Sequence, residues 1–275
     1  MPLDDVRPGD CYAHARRLLA EVGSVRAELG RGEDTRAVAE VADARPRDCY
    51  FEALATWSKV DRLAREVGAP PARAAQPIPA LRDLRPGHVL QLITAMLEQV
   101  DSIKAQLRIT ETAAVPAVEA ARQPSDVLAT LIRINREVSR ALDCPFTASD
   151  VYRTVALASA YATRLGAPAG PAPFTRGRKP QHCYERLLTC HALVSALIAK
   201  HGEPPVAIRS TPPDVVPGDV YDLASVVLGE LALLHSLTPT AVALHAFEPN
   251  ASGHRLPAHV EQLTRTLEAQ LAALS

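Results

Sequence analysis

Apolar side chains along this chain recur in alternating steps of three and four. Counting from Pro46, one stripe holds Cys49, Ala53, Trp57, Val60, Leu63 and Val67. Counting from Pro86, the equivalent stripe is Val89, Ile93, Met96 with Leu97, Val100, Ile103 and Leu107. Steps averaging about 3.5 residues place such side chains on one face of a helix that packs, nearly aligned, on other helices. The pattern predicts helices of about 20–22 residues, or roughly 30–33 Å at 1.5 Å per residue.

Each stripe is opened by the same short block, Pro-x-(Asp/His)-(Val/Cys)-(Tyr/Leu). Pro8-Gly9-Asp10-Cys11-Tyr12 is followed by Pro46-Arg47-Asp48-Cys49-Tyr50, Pro86-Gly87-His88-Val89-Leu90 and Pro124-Ser125-Asp126-Val127-Leu128. Ala148-Ser149-Asp150-Val151-Tyr152, Pro180-Gln181-His182-Cys183-Tyr184, Pro217-Gly218-Asp219-Val220-Tyr221 and a degenerate Pro257-Ala258-His259-Val260-Glu261 complete the series. Proline suits a first helical turn, whose N–H groups have no partner within the helix. Ser125, Ser149, Gly9, Gly87 and Gly218 are read as cap residues, with the neighbouring Asp favoured by the helix dipole. Gly30, Gly68, Gly166 and Gly202 stand where four of the helices should stop.

Between copies lie proline-rich connections, such as Pro70-Pro71 through Pro79, Pro168 through Pro173 and Pro204-Pro205 through Pro212-Pro213. Such stretches run extended, except residues 35–42, which are expected to add a short helix. About 13 extended residues span roughly 40 Å, enough to retrace a whole helix. Successive helices are therefore free to be parallel neighbours or to cross between distant positions. Residues 143–148 are too few for that and predict an antiparallel hairpin between the fourth and fifth helices.

The expected fold class is all-α: an eight-helix internal-repeat protein of two linked four-helix bundles with long Pro-rich connections. The halves are residues 1–143 and 144–275, with a single continuous helical domain as the second choice. The composition agrees, since 47% of residues are hydrophobic and only 4% aromatic, leaving Leu, Val, Ile and Ala to build the core. A net charge of −1, with 30 basic and 31 acidic residues spread along the chain, offers no footprint for nucleic acid. Only Lys59, Lys104, Lys179 and Lys200 are lysines, an arginine bias that points to a GC-rich bacterial genome. No apolar run approaches the roughly 20 residues needed to span a bilayer, and the N-terminus lacks the features of a secretory leader.

Cys11, Cys49 and Cys183 occupy a slot filled by Val in the other five copies, which marks a small buried apolar position. Cys144 and Cys190 lie elsewhere, and the odd total of five argues against a disulfide framework. Free thiols favour the cytoplasm, and a periplasmic location would require a leader already removed. The densest metal candidates are His182, Cys183, Cys190 and His191, soft and imidazole donors on one helix. Tyr12, Tyr50, Tyr152, Tyr184 and Tyr221 share a slot that packs on a neighbouring connection or forms a ligand-stacking row. The Asp/His slot (Asp10, Asp48, His88, Asp126, Asp150, His182, Asp219, His259) either serves the helix start or forms pairs that titrate near neutral pH.

No nucleophile elbow, phosphate loop, HExxH helix or di-iron Glu-x-x-His pair is present. The expectation is a non-enzymatic helical-repeat interaction or scaffold protein with no cofactor, binding another macromolecule or itself. The alternative is a helical-bundle sensor or small-ligand/metal-binding protein.

Overall fold

The structure, a computed structural model, describes residues 3–70, 84–143, 146–168, 170–239 and 254–275. Over these residues the chain is all-α and 67% helical. Eight α-helices are described: α1 (Pro8–Glu28), α2 (Pro46–Glu66), α3 (Pro86–Leu107), α4 (Pro124–Ala141), α5 (Ala148–Arg164), α6 (Pro180–Lys200), α7 (Pro217–Leu237) and α8 (Pro257–Leu274). Two strands of two residues each, β1 (Val41–Ala42) and β2 (Ala207–Ile208), are the extended elements.

The chain divides into two compact units. One comprises residues 1–145 with 208–210, the other residues 146–207 with 211–275. In the first unit α1 packs on α3 and α4, and α2 packs on α3 and α4. In the second, α5 and α6 each pack on α7 and α8. Helices consecutive within a unit's pairs, such as α1 and α2, therefore stand diagonally across a square. The connection predicted to pair α4 with α5 leads from one unit to the next: α4 packs on α1 and α2, α5 on α7 and α8. Cys144 lies outside the described residues.

Within each unit the four helices run parallel. In the first, Cys11 Sγ near the start of α1 donates to the carbonyl of Pro86, the first residue of α3. Cys49 Sγ on α2 donates likewise to the carbonyl of Pro124 on α4. Further along, Lys59 Nζ on α2 donates to Asn135 Oδ1 on α4 at 2.6 Å, and Lys104 on α3 pairs with Glu21 on α1. In the second unit the starts of α5, α6, α7 and α8 meet around one small apolar space lined by Val151, Cys183, Val220 and Val260 with their helix-opening residues. At the far end Lys200 of α6 donates to the carbonyl of Ser275 behind α8, at 2.7 Å. Parallel neighbours explain the long connections, because each must return the length of a helix before the next can start.

Residues 35–42 form no helix. Asp34 N–H donates to Glu137 Oε1, and Arg136 of α4 donates to the carbonyls of Arg36 and Ala37 at 3.5 and 3.4 Å. Glu40 N–H donates to Ser210 Oγ at 2.6 Å, and the Glu40 carbonyl accepts from Arg209 N–H at 2.8 Å. Backbone groups held by these partners are not available to an intrahelical ladder.

Among the described helices, α7 is long and apolar enough to cross a membrane by length and composition, which by itself is weak evidence for a span. Moreover, 67% of that stretch is buried inside the second unit, as for the central helix of a bundle, and Asp219, Asp222 and Glu230 are buried along it.

Candidate functional site

The helix starts carry the repeated chemistry, and their caps lie two residues earlier than the sequence suggested. The cap residues are Arg7, Arg45, Arg85, Gln123, Thr147, Lys179, Val216 and Leu256, with Pro or Ala as the first helical residue. Proline's fixed φ fits that first turn, so the residue before it is the one left extended.

The third helical residue then reaches back. Asp10, Asp48, Asp126, Asp150 and Asp219 each accept the cap residue's N–H on Oδ2, at 2.6–2.9 Å. His88, His182 and His259 accept the same N–H on Nδ1, at 3.1, 2.9 and 3.0 Å. Asp and His are interchangeable here because each places an acceptor within reach of one otherwise unpaired donor. That geometry requires the Nε2–H tautomer in all three histidines.

The Ser/Gly position that follows the proline meets the segment entering a neighbouring helix. Ser125 Oγ accepts from Ala44 N–H, before α2, at 3.1 Å, and Ser149 Oγ accepts from Arg255 N–H, before α8, at 3.1 Å. A Cβ on Gly9 would stand 2.5 Å from the Glu119 carbonyl oxygen, before α4, and one on Gly87 equally close to that of Leu3, before α1.

The tyrosines serve the same junctions. The Arg122 guanidinium, before α4, lies 4.3 Å from the Tyr12 ring centre, and that of Arg255 lies 4.5 Å from Tyr152. Tyr221 stacks on Phe146, before α5, with ring centres 4.6 Å apart. Tyr50 and Tyr184 are buried. Tyr12, Tyr152 and Tyr221 thus each lie at a separate helix junction.

The candidate metal residues diverge as well. Among the described residues no group of three His, Cys, Asp or Glu side chains is placed to hold an ion. Cys183 Sγ donates to the Pro257 carbonyl and Cys190 Sγ to that of Thr264. Burial pushes the Cys11 and Cys183 thiols up to about 12 and raises Cys49 and Cys190 too, so they stay protonated, whereas metal ligation needs thiolate. His191 is buried, bonded to the Val206 backbone, and desolvation lowers its pKa. His182 is held by its cap bond.

His182 does line a polar pocket of about 220 Å³ between α6 and α8, with Arg178, Glu185, Arg186, Thr189 and Glu261. Glu261 and Arg178 were not picked out from the sequence. The available signal was the one departure from the repeat's fifth position, where Glu261 stands in place of Tyr or Leu.

Comparison of the chain with protein-family models, with curated proteins and with solved structures gives no match.

Proposed function

We propose that the chain is a non-enzymatic interaction or scaffold protein that binds another protein through the helix-start end of its second unit. Most of the motif's polar groups have structural duties. The Asp/His side chains hold their own cap N–H groups, the slot cysteines hold neighbouring proline carbonyls, and the half-buried tyrosines pack on entering segments. This supports architecture over catalysis as the reason for the repetition.

The observation that carries the reading is the apolar character of that end. Leu256 and Val216 occupy cap positions yet are 51% and 37% exposed, and Phe174, stacked on His259 at 5.1 Å, is 45% exposed. Leu and Val are among the poorest cap residues, so helix initiation gives no reason for them there. In the first unit the four caps are Arg7, Arg45, Arg85 and Gln123. Leu256, Val216 and Phe174, beside the polar caps Thr147 and Lys179 of the same unit, form an exposed apolar rim that suits a protein partner or a second copy of the chain.

The test compares the wild type with a Phe174→Asp/Leu256→Asp variant by light scattering and by pull-down from native extract. The expected result is one defined partner, or self-association, lost in a variant of unchanged helicity. A wild type that remains monomeric and captures nothing the variant does not also capture would overturn the reading.

A further inference from the structure

We propose that the pocket between α6 and α8 binds a planar nitrogen heterocycle of about nucleobase size, stacked on Arg178 and donating an N–H to Glu261. The inference stands apart from the protein-binding reading, since it concerns one junction and not the apolar end.

The repeat itself shows what is missing there. Arg122, Arg255 and Arg178 each stand two residues before the first residue of a helix, α4, α8 and α6 respectively. At the first two junctions the guanidinium lies against a tyrosine ring from the neighbouring helix, at 4.3 and 4.5 Å. At the third, the side chain in the tyrosine's place is Glu261. Its carboxylate stops short of a hydrogen bond, with Oε1 3.7 Å from Arg178 Nε. Beside Arg178 and Glu261 lies the pocket of about 220 Å³, ample for one planar ring system.

The walls specify more than flatness. Glu261 is 1% exposed, yet its Oε2 has no hydrogen-bond partner, and neither has Arg178 Nε. A buried carboxylate oxygen without a donor is costly, so the site is built to receive one. His182 accepts the Lys179 N–H on Nδ1, which leaves Nε2–H as a donor among the pocket-lining groups. Arg186 adds cationic donors, although it also pairs with Glu268 at 2.9 Å. Glu185, which accepts from Gln181, contributes a second carboxylate. A simple anion would meet Glu261 and Glu185, and a simple cation would meet Arg178 and Arg186. A neutral ring with an N–H edge and a carbonyl satisfies both sets, and its face suits a guanidinium.

Isocytosine, which carries these groups on one small ring, is the probe, with acetate and L-alanine as comparators. Titrations of the full chain would be followed by NMR at the Arg178 side-chain N–H and the Thr189 amide. Isocytosine should give saturable shifts at both, with acetate and alanine giving none. Glu261→Gln should weaken binding about tenfold or more, from loss of a charge-assisted bond. Glu261→Tyr, which restores the ring found at the equivalent junctions, should abolish binding and raise Tm. The proposal is overturned if isocytosine leaves both signals unmoved at about 10 mM, or if alanine binds in its place. It is equally overturned if Glu261→Tyr still binds the probe or lowers Tm.

Discussion

At the scale of single residues, each motif position answers to one neighbour. The Val/Cys slot could be read from the sequence because only size and apolarity matter there: Cys11, Cys49, Val89 and Val127 are all at most 2% exposed. The Asp/His slot could not, because a sequence does not show that a carboxylate and an imidazole deliver the same acceptor to the same N–H. Asp48 carries an extra consequence. It is buried beside Arg47, and desolvation, opposed by that arginine, raises its pKa from 3.8 to about 6. The folded state thus holds this proton more tightly than the unfolded chain does. Its contribution to stability is present below about pH 4 and lost as pH rises through about 6. Asp48→Asn keeps an oxygen for the Arg45 N–H but cannot titrate. Between pH 4.5 and 7 the wild type should therefore lose about 1–3 kcal/mol more stability than the variant, measured by chemical denaturation. Equal pH dependence in the two proteins would refute the assignment.

At the scale of elements, the eight helices were legible because period, proline and stop signals agree. Gly30, Gly68, Gly166 and Gly202 follow helix ends with φ of 67–98°, the left-handed region that ends a helix. Residues 35–42 misled because their fate is set by Glu137 and Arg136 on a helix about a hundred residues away, which no local pattern records. Four parallel helices also gather four positive dipole ends in one place, and the Asp side chains at the third helical position offset them. Such a start depends on close approach to the segment entering a neighbour. Gly9→Ala should destabilise by about 1–3 kcal/mol, because the new methyl meets the Glu119 carbonyl. Gly23→Ala, in the same helix with nothing within 4 Å, should stabilise by about 0.5–1 kcal/mol. Thermal denaturation of the pair checks this, and a stabilised Gly9→Ala would remove the tight junction from the account.

At the scale of the whole molecule, the sequence allowed parallel neighbours through connection length but did not select them. Selection comes from the starts: cysteine-to-proline bonds, Ser and Gly contacts and ring stacking all join one helix's first turn to the next helix's entry, so the starts must share an end. The same logic exposes the candidate site. Glu261 was visible in the sequence as a degenerate copy, but its meaning required knowing that the tyrosine slot faces an arginine across a junction. The parallel arrangement of the helices is tested most directly by one distance comparison. Spin labels would be placed at the exposed residues Arg153, near the start of α5, and Glu185, near the start of α6, and in a second sample at Arg153 and Lys200, at the end of α6. Fifteen residues of helix rise by roughly 22 Å. Pulsed electron–electron resonance should place the 153–185 pair closer than the 153–200 pair by about 10 Å. A shorter 153–200 distance would mean that α5 and α6 run antiparallel and would contradict the arrangement.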